Sequence, residues 1–264
     1  MMKHVLVTGA AGGMGRAAAE LLAAQGYGVF ALDRTPAEPG EGIVPLVADV
    51  TSGDDVLRAA EAVRAVTGEL CAIVHFAGRY MLDSLVEIDE ERLVNSFDVN
   101  VFGAYRVNRA FLPLMGRGAR IIIITSELAP LDPLPFTGLY AVTKGALDRY
   151  AFSLRMELQL LGIDVAVLRA GAVDTGMLGA STRALEDFCA GTKLYACNAR
   201  RFRAIVNAVE ARHIPAERVA RKVLRMLRAR RLRFAHSINR NPLLLLLSIL
   251  PQGLQTWIIG RVLR

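Results

Sequence analysis

Residues 3–27, KHVLVTGAAGGMGRAAAELLAAQGY, place the tightest limit on what this chain can fold into. A short apolar run ends in a glycine cluster and passes straight into an Ala/Leu-rich segment. The run 3–9 reads as a buried strand, and 15–27 as a helix stopped by a glycine near its end. Between them Gly9, Gly13 and Gly15 fit T-G-x-x-x-G-x-G. Glycine serves there because the chain must turn sharply, admit a ligand to its backbone and seat the helix tightly on the strand. The helix N-terminus then offers unpaired N–H groups and partial positive charge, which suit phosphate. Gly12 and Gly15 also fit T-G-x-x-G-x-x-G, so the turn alone leaves two spacings open.

The same alternation continues. Strands are expected at 28–33, 42–50, 70–78, 119–126 and 163–171. Helices are expected at 51–68, at 89–116 with an interruption near 95, and at 138–162. The strands are rich in Val, Ile and Leu without a polar/apolar alternation, as in sheets buried on both faces. Strands alternating with helices predict an α/β fold, a doubly wound parallel sheet with its ligands at the C-terminal edge. The chain has 264 residues, 53% of them hydrophobic, with no linker-like stretch. It is read as one domain over 1–264.

Side chains at that edge suggest a dinucleotide. Asp33 closes the second strand, where a carboxylate accepts the adenosine ribose hydroxyls and repels a 2′-phosphate. Arg34 beside it works the other way, but position 12 carries no Lys or Arg, so NAD is favoured over NADP. Asp49 and Val50 close the third strand, positioned to flank adenine. Ala77 and Gly78 close the fourth, where small residues allow close approach. Tyr140 and Lys144 lie one helical turn apart on one face. Ser126 ends the strand before them, and Asn100 sits in the preceding helical segment. A phenol titrates near pH 10. A cation about 5 Å away favours its ionised form by about 3 kcal/mol at an effective dielectric of about 20.

Together T-G-A-A-G-G-M-G (8–15), Asp49-Val50, Ala77-Gly78, Asn100, Ser126, Y-A-V-T-K (140–144) and RAGAVDTGM (169–177) resemble the short-chain dehydrogenase/reductase family. The apolar tail and the LPF loop before the tyrosine resemble those of members acting on hydroxysteroids and retinol. The length matches the compact type. The resemblance implies a Rossmann-type sheet of about seven strands flanked by helices. It also implies hydride transfer between NAD(H) and an alcohol or ketone. Tyr140 would exchange the hydroxyl proton, with Lys144 tuning it and binding ribose. Ser126 would hold the substrate oxygen, and Asn100 a water linking Lys144 to solvent. Gly9, Gly13, Met14 and Gly15 would hold the pyrophosphate, and Val173 and Thr175 the carboxamide. The family's Asn-Asn-Ala-Gly is here His75-Phe76-Ala77-Gly78, its Pro-Gly is Ala170-Gly171, and Ser126 stands one residue further from the tyrosine than usual. His75 reads as a core histidine.

The remaining features concern partners. Residues 176–213 are read as a flap over the substrate, 216–231 as an amphipathic helix and 232–236 as a last strand. Residues 200–240 hold thirteen Lys/Arg against two Glu. No nucleic acid is expected, and the basic stretch reads as a solvated face. The apolar tail, 241–264, is too broken to span a bilayer. It is read as cover for a cleft or subunit interface, with peripheral membrane contact as the other reading. Cys71, Cys189 and Cys197 are too few for a disulfide frame, and the four histidines lack metal-ligand spacing, so no metal is expected. The N-terminal apolar run is too short for a signal peptide, which places the protein in the cytoplasm, possible membrane association included. The expected substrate is a lipophilic secondary alcohol or ketone, and the expected assembly a homodimer or homotetramer. The competing classes are an idle nucleotide-binding regulator and a membrane-surface binder.

Overall fold

The computed structural model describes residues 2–174, 178–209 and 213–264. The first half contains β1 (Lys3–Thr8), α1 (Gly13–Ala24), β2 (Tyr27–Asp33), β3 (Ile43–Val47), α2 (Gly53–Val66) and β4 (Leu70–His75). The second begins with α3 (Glu90–Phe97), α4 (Gly103–Phe111), β5 (Met115–Ser126), α5 (Gly138–Leu158) and β6 (Asp164–Ala170). After these come β7 (Val173–Asp174), α6 (Leu178–Gly191), α7 (Ala196–Val209), β8 (Ile214–Pro215) and α8 (Ala216–Arg228). The chain closes with β9 (Ala235–Ile238), α9 (Pro242–Ser248) and α10 (Gln252–Leu263).

Seven strands pair in parallel in the order β3-β2-β1-β4-β5-β6-β9. The strand order reverses between β1 and β4, which opens a crevice at their C-terminal ends. A separate pair joins Val173 to Ile214 and Asp174 to Pro215.

Burial on both faces explains the unbroken apolar strands. Ile121 and Ile123 face one side with Leu6, Phe30, Ile73 and Val165, against α2, α4 and α5. Ile122 and Ile124 face the other with Val5, Val7, Val74 and Leu168, against α1 and α8. Each isoleucine of this run is 5% exposed or less, so none is free to be polar.

Helix ends are set locally. Ser52 caps α2 by accepting from Asp55 N at 3.2 Å, and Asp54 and Asp55 complement its positive end. At the far end of α8, Arg120 donates to the carbonyls of Met226 at 2.8 Å, Leu227 at 2.7 Å and Ala229. One half-buried guanidinium thus closes a helix C-terminus onto β5.

Five expected boundaries move. The helical stretch 89–116 breaks at a π-turn over Asp98–Phe102 rather than near 95. It ends at Phe111, because Pro113 in the short turn Leu112–Leu114 cannot continue an α-helix. β5 therefore starts at Met115, four residues early. The third strand stops at Val47, leaving Asp49 and Val50 in the loop beyond it. The last strand is Ala235–Ile238, because the β6 register pairs Val167 with Ala235 and Ala170 with Ile238.

The glycine turn is closed by backbone contacts. Gly9 has φ +68°, and a Cβ on it would lie 2.6 Å from Ala77 N. A Cβ on Gly15 would lie 2.1 Å from the Gly9 carbonyl oxygen. Gly15→Ala must push α1 off the turn, and we expect it to cost about 3 kcal/mol. Urea unfolding followed by circular dichroism measures this; an unchanged midpoint would show that the turn is looser than drawn.

Candidate active site

The side chains proposed from sequence converge on the crevice edge. α1 begins there with Gly12 as its N-cap, with no acidic residue in its first turn. Gly13, Met14 and Gly15 open that helix. Thr8 ties the two central strands together: its carbonyl accepts from Phe76 N at 3.0 Å and its hydroxyl from Ala77 N at 3.3 Å. Asp33 Oδ2 accepts from Ala11 N at 3.0 Å, so this carboxylate is tied to the glycine turn. Asp49 Oδ1 accepts from Thr51 N at 2.8 Å and Thr51 Oγ1 at 2.7 Å, which fixes the loop leading to buried Val50.

The π-turn places Asn100. Its widened helical turn points the amide into the protein, where it is 1% exposed. Oδ1 accepts from Arg79 N at 2.7 Å, and Nδ2 donates to Arg79 O at 3.0 Å and to Thr143 Oγ1 at 3.0 Å. Thr143 in turn donates to Tyr140 O at 2.9 Å. Both amide protons and one Oδ1 lone pair are used, which leaves one lone pair for a water beside Lys144. Thr143 was not singled out from sequence, although it lies inside Y-A-V-T-K.

Tyr140 and Lys144 share the inner face of α5. Lys144 Nζ lies 5.8 Å from the Tyr140 ring centroid and donates to Ile124 O at 3.3 Å. Burial pulls the ammonium down to about 8. Burial also pushes the half-buried Tyr140 phenol up to about 12, while a hydrogen bond to Ser126 pulls the other way. This corrects the expectation that the lysine lowers the phenol. Removing water from around a phenolate costs more here than the Ser126 hydrogen bond returns. The protein's own groups therefore hold Tyr140 protonated at neutral pH.

A Cβ on Gly78 would lie 3.1 Å from Lys144 Nζ and 3.2 Å from Asn100 Oδ1. A side chain at this position would crowd both polar groups. Sequence reasoning did not identify Tyr80, whose ring meets Tyr140 edge-on at 4.9 Å between centroids. Tyr80 packs against an apolar cluster of Leu82, Phe136, Leu185, Phe188 and Phe202 drawn from the loop after β4, the loop before α5, and α6 and α7. Phe136 has φ +65°, a conformation that costs about 1–2 kcal/mol. Its ring is held by Phe188 at 4.5 Å and by Tyr195 and Phe202 at 5.3 Å each.

His75 lies outside this chemistry. It is 4% exposed, bonds Asn108 Oδ1 through Nε2 at 2.8 Å, and burial pulls it down to about 4. Asn108 donates onward to Tyr150 Oη at 3.1 Å, which fixes its orientation and makes His75 Nε2 the donor. Val173 is half-buried in β7, and Thr175 lies outside the described residues. Gly171 must lack a side chain, because a Cβ there would sit 1.8 Å from Asn239 O.

The sequence pattern described as short chain dehydrogenase matches residues 3–186. The chain is similar to a 3-ketodihydrosphingosine reductase of Bacteroides thetaiotaomicron, 30% identical over 173 residues covering 65% of this chain and 64% of that one. It is also similar to human 17-beta-hydroxysteroid dehydrogenase type 1, 30% identical over 191 residues covering 66% and 58% of the two chains. The match thus spans less than two thirds of either relative. Among solved structures, a short-chain dehydrogenase from Streptomyces avermitilis superposes with a TM-score of 0.76 at 25% identity, covering 90% of this chain and 89% of that one.

The depression of Lys144 from 10.5 to about 8 corresponds to a burial cost of about 3 kcal/mol. Below pH 8 both folded and unfolded lysine are protonated, so the fold carries the full cost; above pH 10.5 it carries none. Lys144→Met should therefore stabilise the ligand-free protein by about 3 kcal/mol at pH 7. The gain should vanish as pH rises through 8 to 10.5. Thermal melts of both proteins across that range check the size and the sign.

Proposed function

The chain belongs to the short-chain dehydrogenase/reductase family, and from its site we propose that it reduces a lipophilic ketone to a secondary alcohol with NADH. The carrying observation is the meeting of Ser126, Tyr140 and Lys144 at one corner of the crevice, with Lys144 Nζ 5.8 Å from the Tyr140 ring centroid and the phenol hydrogen-bonded to Ser126. A phenol is protonated at neutral pH and so can give a proton to a carbonyl oxygen, which suits reduction.

The cradle supports a nicotinamide dinucleotide. Gly9, Gly15 and Gly78 each lack a side chain where a Cβ would meet backbone or the Lys144 and Asn100 groups. Gly13, Met14 and Gly15 would present helix N–H groups to the pyrophosphate. Asp33 would accept from the ribose hydroxyls, Asp49 and Val50 would flank adenine, Ala77 and Gly78 would leave room for the nicotinamide-side ribose, and Val173 and Thr175 would hold the carboxamide. The reduced cofactor supplies the hydride.

The chain's own groups then handle the oxygen. Ser126 donates to the ketone oxygen and orients the carbonyl. Tyr140 gives its proton to that oxygen as negative charge develops there. Lys144 stabilises the resulting phenolate and bonds the ribose hydroxyls. Asn100 keeps the loop at Arg79 and the helix at Thr143 in fixed relation, with its spare lone pair available to a water that re-protonates the pair.

Two observations support a bulky apolar substrate. The aromatic cluster around Phe136 adjoins Tyr80 and so extends an apolar wall from the reacting phenol. The two named relatives act, by name, on a ketosphingoid and a hydroxysteroid. Residues 176–213 would serve as the flap. A homodimer or homotetramer is proposed through α4 and α5, which expose Tyr105, Phe152 and Met156 at about half their surface.

With NADH and a panel of long-chain and steroid ketones, Tyr140→Phe should lower kcat/KM by about 10²–10⁴-fold. Turnover that survives this change would remove Tyr140 from the chemistry. The reduction rate should fall as pH rises past about 8, where Lys144 loses its proton. Asp33→Ser should shift the kcat/KM ratio from NADH toward NADPH; no shift would deny Asp33 the selector role.

A further inference from the structure

The C-terminal helices pair an outward apolar face with a stretch of chain that has no Asp or Glu. Leu243, Leu246 and Ile249 are 59%, 59% and 76% exposed on and just after α9. On α10, Leu254 and Trp257 are 43% and 66% exposed. They repeat at helical spacing and continue to Arg261 on the same face. The opposite faces are used. Leu244 and Leu247 meet Leu128, Leu131 and Leu134 of the loop after Ser126. Gln255 donates to Asp132 Oδ2 at 3.4 Å and to Leu250 O at 2.9 Å. Asn198 donates to Leu263 O at 2.7 Å, and Asn241 N donates to Glu127 Oε2 at 2.6 Å. The tail is thus fastened to the body by its inner side, and its outer side is held open to solvent.

Charge decides what covers that side. From Arg218 to Arg264 the sequence has eleven Lys/Arg and no Asp or Glu side chain. Arg240, Arg261 and Arg264 flank the two helices, and all three are exposed. Glu127 and Asp132 of the loop beneath are engaged by the tail's inner bonds. A second copy laid on this face would set cations against cations. A nucleic acid would satisfy the arginines and leave the leucines in water. An anionic lipid surface satisfies both. Among the described residues no helix is long and apolar enough to cross a membrane. Pro251 breaks the apolar run, and α10, with 12 residues, is about 18 Å long against a hydrocarbon core of about 30 Å.

We propose that residues 242–264 lie in the plane of an anionic membrane, with Leu243, Leu246, Ile249, Leu254 and Trp257 in the headgroup–acyl boundary and the flanking arginines on lipid phosphates. This inference stands apart from the catalytic reading, since it uses none of the crevice residues.

Trp257 is the chain's single tryptophan and so reports on this face alone. The full chain is titrated with vesicles of phosphatidylcholine containing 30% phosphatidylserine, and with phosphatidylcholine alone. Emission and co-sedimentation are followed in each case. The expected result is a blue shift and pelleting with the anionic vesicles, weakened by salt and by at least about tenfold in Arg261→Glu/Arg264→Glu. Leu246→Glu/Ile249→Glu, on exposed positions, should abolish binding while the thermal midpoint and far-UV spectrum stay unchanged. Emission and sedimentation that do not respond to either vesicle overturn the proposal. So does a blue shift that follows protein concentration without lipid, which would identify a second copy. Equal binding to both vesicle types, or binding only to DNA, also overturns it.

Discussion

A protonated lysine sealed into an apolar wall is the constraint around which the site is built. Lys144 is 6% exposed and its ammonium bonds one backbone carbonyl. Such a group costs folding free energy, which its bond to the Ile124 carbonyl offsets only in part. Everything beside it is arranged to make that cost useful. Gly78 withholds a side chain from its front, Asn100 closes its flank, and Tyr140 stacks on the same helix face. The phenol's elevated proton affinity and the lysine's reduced one are two results of one cause, the removal of water from the same corner. Stability and chemistry therefore pull in opposite directions at this position.

The parallel sheet brings the corner together. β1 and β4 meet at the reversal of strand order, and the backbone contact between Gly9 and Ala77 sets their separation. The next strand outward, β5, delivers Ser126, and α5 delivers the Tyr/Lys pair. The aromatic cluster then stands over the same edge, held by Phe136 in its left-handed backbone conformation. Packing of three aromatic rings on Phe136 offsets that local cost.

What could be read from sequence follows from the range of each interaction. The glycine turn, the Tyr140–Lys144 spacing and the continuous apolar strands are local, and each carries its reason within a few residues. The burial of His75 against Asn108 lies 33 residues away in sequence, and the Asn100 bonds to Arg79 and Thr143 lie 21 and 43 away. No periodicity encodes those meetings. The π-turn was displaced for a similar reason. Asp98-Val-Asn-Val-Phe contains no proline or glycine to mark it, and its extra residue is held by tertiary bonds of the buried amide. Tyr80 escaped notice because it sits in a loop, and only the fold brings its ring to Tyr140. The direction of the tyrosine's titration needed the structure as well. Spacing shows that a cation is near, but not how little water remains.

The π-turn has a consequence for anyone who recombines this chain with its relatives. A widened turn holds one more residue than the regular helix around it, and each residue of an α-helix advances the face by about 100°. Deleting a single amino acid between Asp98 and Phe102 would restore an unbroken helix from Glu90 to Phe111 and swing the buried amide about a quarter-turn away from Arg79. Segment exchanges in this stretch therefore have to be aligned on the bulge itself, counting residues inward from both flanks, since a junction that is correct on one side is out of phase on the other.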